Sequence, residues 1–223
     1  MAVSPNLNSQ LDGVLEQRFK KLTKIISMLL TVEGKYQKPY IEGLPYFSKL
    51  PTELKQKVVD HLQFYHDLCV EQVSEGYSIK DSPSFVWRAL NKLGLVPRSD
   101  LFSHLTNEHI VEIYSAENVQ LFRNFKFFEF CSYSLEELLT IEWWGLFERD
   151  AQITQKIFDY SMRVFTGELT ESFVPDLETH FIREVASHDR LCFEYTIDRA
   201  GPLCRNKRPE AVILLERARI VRN

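Results

Sequence analysis

The residues able to do chemistry are scattered along this chain of 223 residues. Cys69, Cys131, Cys192 and Cys204 stand far apart, with no CxxC and no Cys/His cluster. Neither a disulfide framework nor a zinc site is expected, and the four read as buried or free thiols. His61 and His66 are five apart, a spacing that does not place both on one helix face, so no metal site is expected there. Glu129, Glu142, Asp150, Asp159 and Glu194 are available as general bases, a role that needs an apolar pocket and a raised pKa. None of them forms an acid–base pair with telling spacing, and no Ser/His/Asp set does so either. A small enzyme with a cone-shaped α+β cavity is therefore kept only as a third reading.

The densest feature is aromatic. The stretch RNFKFFEFCSYSLEELL, from Arg123 to Leu139, crowds Phe125, Phe127, Phe128 and Phe130 together. Phe125, Phe128 and Leu121 or Phe122 can share one helix face, while Phe127 and Cys131 lie one turn apart on another. Each ring buries a large area, so the run closes a core as easily as it lines a pocket.

The elements that would position these residues fall into two halves. Leu11, Leu15, Phe19, Leu22, Ile26 and Leu29 recur at spacings of three and four, one apolar stripe on a long helix. That stripe packs either within the chain or as a dimer seam against a second copy. Gly34, Pro39, Gly43 and Pro45 break the pattern into a loop. A second helix starts near Pro51, with Leu54, Val58, Leu62, Tyr65 and Leu68 or Cys69 at helical spacing. Ser82-Pro83 provides a cap and a first turn for a third helix, which Gly94 ends.

From about residue 107 the period changes to alternation. His109–Ser115 and Val119–Phe122 read as a hairpin, with Asn118 suited to positive φ. Helical segments fill 124–166. Three strands follow, near 179–185, 191–199 and 210–221, and in the second of them Phe193, Tyr195 and Ile197 share a face. Ala200-Gly201-Pro202 and Asn206-Lys207 mark the turn between the last two strands. Two strands, helices, then three strands predict an α+β fold with one antiparallel sheet and helices on one face. The expected division is a helical region over 1–104 and a sheet domain over 105–223.

Charge limits the partners. Between residues 101 and 198, 7 Lys and Arg stand against 18 Asp and Glu, a poor surface for a phosphate backbone. The tail from 199 holds 7 basic residues against 2 acidic ones, which suits a solvated strand edge. Direct nucleic-acid binding is not expected. No apolar run approaches the length that crosses a bilayer, and the first residues lack a signal-peptide pattern, so the expectation is a cytoplasmic protein with no membrane partner.

The second half resembles a PAS domain, as found in bacterial signalling and transcriptional regulators. A short hairpin leads to Asn124, at the family's Asn. Ser132-Tyr133-Ser134 falls at its Gly-Tyr-Ser turn and Glu136-Glu137-Leu138 at its EEL. Leu146–Asp150 falls where the family often has an acidic end before its long helix, here Ala151–Thr166. The three late strands complete the family's five-stranded sheet. Ser132 departs from the usual glycine, and Glu148-Arg149 departs from a frequent His-Pro. Local physics gives the polar residues structural roles: Asn124 as a helix cap, and Ser134 with Glu137 as a capping box.

The resemblance implies a cavity between sheet and helices, open to a ligand or filled by side chains. If open, Phe128, Phe147, Tyr160, Tyr195 and Ile197 are its candidate lining, with Arg183 as a polar anchor. The ligand is then a small apolar or amphipathic molecule of unknown identity. Asn124-Phe125-Lys126-Phe127 lacks the cysteine of the family's flavin photosensors, which argues against covalent flavin. The long helix lacks the histidine that haem-binding members use, and His180 and His188 come later, which argues against haem. The leading expectation is a sensory or regulatory protein, not an enzyme. It relays a signal through the N-terminal helices, as a homodimer or through a protein partner that supplies the output. The alternative is a ligand-free scaffold for protein interaction or dimerisation.

Overall fold

A computed structural model describes residues 5–34, 44–98, 100–187 and 189–221. Pro39, Gly43 and His188 lie outside these residues. By internal contacts the chain forms two compact units, 1–78 with 132–146, and 79–131 with 147–223. The expected division fell at 104/105; by contacts, helix 82–93 and the turns after it group with the sheet, and 132–146 groups with the first helices.

The helical unit is built on α1 (Pro5–Val32) and α3 (Thr52–Ser74), with α2 (Leu44–Lys49) before α3. Leu15, Phe19, Leu22 and Ile26 of the predicted stripe are buried, while Leu11 is exposed and Leu29 half-buried. Packing of α1 on α3 accounts for the buried four, and Phe19 also stacks on Phe47 of α2 with ring centroids 4.2 Å apart. Asp12 meets Thr52 at 2.8 Å and Lys55 at 2.7 Å, and Glu33 meets Ser78 at 2.5 Å. These pins sit at matching ends, so α1 and α3 run in the same direction. α6 (Leu135–Thr140) packs with α2 and α3, and α7 (Trp143–Leu146) follows it. The capping box is formed as expected: the Ser134 hydroxyl accepts from Glu137 N at 3.2 Å, and the Glu137 carboxylate accepts from Ser134 N at 2.8 Å.

In the other unit, α4 (Ser82–Leu93) ends on Gly94 at φ +66°, the left-handed stop that glycine allows. Its cap is Asp81, not Ser82, which is the first helical residue. β1 (Val96–Pro97) and α5 (Leu101–His104) lead into the hairpin of β2 (Ile110–Ser115) and β3 (Gln120–Arg123), with Asn118 at φ +58°. Phe125–Glu129 is a 3-10 turn. β4 (Phe147–Arg149) is a strand that the sequence pattern did not show. α8 (Ala151–Phe165) is capped by Asp150, whose carboxylate accepts from Gln152 N and Ile153 N. β5 (His180–Glu184), β6 (Cys192–Arg205) and β7 (Arg208–Val221) complete the sheet.

The fold is α+β. The antiparallel sheet has the strand order β3-β2-β7-β6-β5-β4, with β1 on β6, seven strands where five were expected. β6 and β7 form a ribbon of 14 residues each. The expected turn at Ala200-Gly201-Pro202 is strand, and only Asn206-Lys207 turns, both at positive φ. A Cβ on Gly201 would meet Ser172 Cα at 3.3 Å, so the glycine admits a crossing segment.

Strand alternation gives this sheet two inner faces. Val164 of α8 packs on Ile197, Ala200, Val212 and Leu214. Phe122 pairs with Ile113, and Ile113 with Ile213, on the opposite side, where Phe85 of α4 meets Phe122 at 5.8 Å. Helices therefore cover both faces, not one.

Candidate functional site

Charged residues stand in the middle of the α8-bearing face. Glu112 of β2 pairs with Leu214 of β7, and Ile110 with Glu216. Glu112 and Glu216 are thus diagonal neighbours on one face. Arg123 of β3 lies opposite Glu112. Tyr195 of β6, two residues before Ile197, shares the face, because Ile197 pairs with Glu216. Each of these side chains is buried: Glu112 is 5%, Arg123 3%, Glu216 1% and Tyr195 1% exposed.

They satisfy one another. The guanidinium of Arg123 forms an ion pair with the Glu112 carboxylate. Tyr114 donates its hydroxyl to Glu112 Oε2 at 2.7 Å, and Tyr195 donates to Glu216 Oε2 at 2.5 Å. With its amide oxygen turned to the guanidinium, Gln120 accepts from Arg123 Nη2 at 3.0 Å and Nε at 3.2 Å. The ring of Phe127 lies 3.9 Å from Arg123 Cζ, a cation–π contact on the guanidinium face. Arg149 of β4 sits with Cζ 5.8 Å from the Tyr195 ring.

Burial sets the protonation. Burial first, and then the Glu112 carboxylate, hold the Glu216 carboxyl well above the usual carboxylate range; the Tyr195 hydrogen bond and the Arg149 and Arg123 charges oppose this. The neutral acid is the form this core favours. Burial alone would lower the Arg123 pKa, but Glu112, Tyr114 and Tyr195 hold it above the ordinary arginine value. Burial and Glu112 push both phenols up. His180, on the same face beside Tyr195, is lowered to about 4 by burial and then by Arg149. As a neutral ring it donates from Nδ1 to the Glu178 carbonyl at 3.2 Å. Its Nε2, an acceptor, has no hydrogen-bond partner among the described residues.

The residues expected to line a pocket divide. Phe147 and Tyr195 come together around Phe193, at 6.1 and 6.3 Å between ring centroids. Phe128 is half-buried and meets Phe125 and Phe127 at 5.9 and 6.1 Å. Tyr160, on α8, and Ile197, on the sheet below it, line a cleft of about 10 Å³ with Phe173, Leu177, Val212 and Leu214. That holds no more than one water. Arg183 is exposed and pairs with Cys192 on the opposite face from Tyr195, so Arg149 stands where Arg183 was expected. Asn124 does not cap a helix. Its Oδ1 accepts from Val111 N at 3.0 Å, and its Nδ2 donates to His109 O at 2.9 Å and Ser82 Oγ at 3.2 Å.

The candidate bases are placed outside the network. Glu129 pairs with Lys126 at 2.8 Å, Asp159 accepts from Gln155 at 2.9 Å, Glu194 pairs with Arg219, Asp150 caps α8, and Glu142 is exposed. The acids of the network, Glu112 and Glu216, went unremarked in the sequence. The signal was a glutamate inside an apolar strand, in IVEIYS and again after AVILL. A further buried acid, Glu136, lies in the helical unit; burial pushes its carboxyl up to about 7, and its Oε2 has no hydrogen-bond partner among the described residues.

An open groove of about 510 Å³ lies elsewhere on the sheet unit, with His104, Thr106, Glu108, His109, Asp198 and Arg217 in its wall. Its charges are already matched. His109 accepts at Nδ1 from Thr106 N at 3.1 Å and faces Asp198 from Nε2 at 3.3 Å. Arg217 binds Asp198 through two nitrogens, and His104 meets Asp100 at 3.0 Å. With both nitrogens engaged, His109 holds the turn before β2 instead of offering a free base.

Among the described residues no group of three or more metal-binding side chains forms, and no helix is long and apolar enough to cross a membrane. No model of a known protein family matches the chain, and no curated protein matches it significantly.

Proposed function

We propose that the chain is a sensory or regulatory protein whose sheet unit is a PAS-like module, with the Glu112–Arg123–Tyr195–Glu216 network as its responsive centre. The buried network carries this reading. Replacing a buried ion pair by apolar side chains is commonly neutral or stabilising, so charge at the centre of a sheet points to a use beyond stability. The hairpin β2-β3 and the three late strands β5, β6 and β7, joined in one antiparallel sheet, support the PAS resemblance, whereas 132–146 groups with the helical unit. The network's donors and acceptors meet one another, which favours regulation over catalysis. The module acts by population shift: a ligand or partner must bind one arrangement of sheet and helices better than another. The N-terminal helices are then the relay, as a dimer seam or towards a partner that supplies the output, in transcription control or another pathway.

A second reading, a ligand-free interaction module in a homodimer or a complex, is favoured by the cleft of about 10 Å³ under α8. Native and denaturing mass spectrometry on the purified chain, with an absorption spectrum, separates the two. A small molecule released on denaturation supports the ligand-binding sensor. Equal masses together with a stable dimer or partner support the interaction module. Turnover that disappears with Glu216→Gln would overturn both in favour of an enzyme.

A further inference from the structure

Two carboxyl groups in the core of the sheet lie in the field of one buried guanidinium. Glu112 makes the ion pair with Arg123, and Glu216 has the Tyr195 hydroxyl. With Arg123 charged, these three groups are neutral only if one carboxyl carries a proton, and the ion pair leaves Glu216 as the acid. Loss of that proton puts a second negative charge, opposed by the half-buried Arg149 as well as by Arg123, in a core where both glutamates are 5% exposed or less.

We propose that Glu216 is a proton-linked latch of the sheet unit: protonated, it closes the core against Tyr195; ionised, it crowds Arg123 beside Glu112 and loosens the packing over the network. This rests on the regulatory reading above and names a proton as the module's input.

The groups facing Glu216 leave few other sources for such a response. β2 contributes Glu112 and Tyr114, β3 Gln120 and Arg123, β4 Arg149, β5 His180 and β6 Tyr195. The Cys131 thiol lies within the field of Arg123. α8 faces the sheet with Ile157, Val164 and Phe165, which carry no charge, and with Tyr160, whose hydroxyl accepts from Asp176 N at 2.9 Å. His180, lowered to about 4, remains neutral through the working range, and both phenols are pushed above it. Arg149 is the nearest second cation, half-buried beside Tyr195, and its charge favours ionised Glu216. The next residue, Asp150, caps α8. An ionised Glu216 that draws Arg149 inward therefore pulls on the first turn of α8, the helix whose Val164 packs on Val212 and Leu214.

The test is hydrogen exchange by mass spectrometry on the full chain between about pH 6 and pH 9, corrected for the intrinsic base-catalysed rate. An opening linked to one proton shifts by up to about tenfold per pH unit. Corrected exchange in β6, β7 and α8 is expected to rise on this scale in the wild type and to stay flat in Glu216→Gln, which keeps an acceptor for Tyr195. Glu112→Gln leaves Arg123 to Glu216 alone and is expected to flatten the response as well, so the test survives if one variant fails to fold. A flat wild-type profile, or variants that follow the wild type, would overturn the latch while leaving a ligand-driven regulator intact. A response in the sheet unit with α1 and α3 unmoved supports the latch and removes the relay on which the regulatory reading depends.

Discussion

Asn124 and Val111 hold each other by two hydrogen bonds of equal length: Asn124 N donates to Val111 O, and Val111 N donates to Asn124 Oδ1, both at 3.0 Å. A side chain here completes the β2·β3 ladder where the strand leaves it. The amide's other end reaches His109 O and Ser82 Oγ, so one residue joins the hairpin to the start of α4. Asn124→Ala strands a buried Val111 N–H and removes both bonds from Nδ2. The expected loss is about 2–4 kcal/mol, from roughly 1–3 kcal/mol for an unsatisfied buried group plus the bonds lost. Asn124→Asp keeps the acceptor and loses the donor, and should cost less at low pH than at neutral pH. Urea denaturation of the three proteins checks both points, and an alanine cost within 0.5 kcal/mol of zero would refute the role.

The Arg123–Glu112 pair gives a prediction that depends on which residues are changed. Arg123→Leu alone leaves Glu112 buried beside Glu216 and should destabilise the chain by about 3–5 kcal/mol. Glu112→Leu with Arg123→Leu removes both charges together, and the double variant should recover most of that loss. A double-mutant cycle in denaturant measures the coupling. If the double variant falls by the sum of the two single losses, the pair is not coupled in the way its geometry requires.

The helices and most strands were legible because burial leaves a period in the sequence. Leu15, Phe19, Leu22 and Ile26 show one buried face, Gly94 shows a stop, and Asn118 shows the hairpin tip. The network was not legible for two reasons. β2 is buried on both faces, so alternation in IVEIYS does not tell which residue meets which partner. The partners are also remote: Glu112 lies beside Arg123 across a hairpin and beside Glu216 across half the chain. Tyr195 was singled out for the right face but as pocket lining, because nothing local shows a carboxyl at its hydroxyl. Ala200-Gly201-Pro202 read as a turn because glycine and proline mark turns in isolation; here the glycine makes room for Ser172 and the strand continues.

Glu216 sets a pH trend in stability. The unfolded chain releases this proton near the ordinary 4.5, while the folded core holds it to higher pH. A group with a raised folded pKa contributes stability that is full below the unfolded value and is lost as pH rises towards the folded one. Wild-type stability should therefore gain fully from this group at about pH 4 and lose that gain as pH rises above the unfolded value towards the folded one. Glu216→Gln should match the wild type near pH 4 and exceed it at about pH 8, read as a higher Tm by scanning calorimetry. A variant less stable than the wild type by the same margin at both pH values would show that Glu216 is held as an ordinary hydrogen-bonded group.

The stripe on α1 separates core from surface within one helix. Phe19 is fully buried and stacks on Phe47, so Phe19→Ala should cost about 3–5 kcal/mol in the helical unit. Leu11 is 44% exposed on the same stripe, and Leu11→Ser should change stability by less than about 0.5 kcal/mol in a monomer. The two substitutions together distinguish internal packing from a seam between copies. If Leu11→Ser lowers the Tm in a way that depends on protein concentration, while sedimentation shows a dimer giving way to a monomer, the exposed end of α1 is an interface. If its Tm matches the wild type at every concentration and only Phe19→Ala unfolds the unit, the stripe is accounted for by α2 and α3 within one chain.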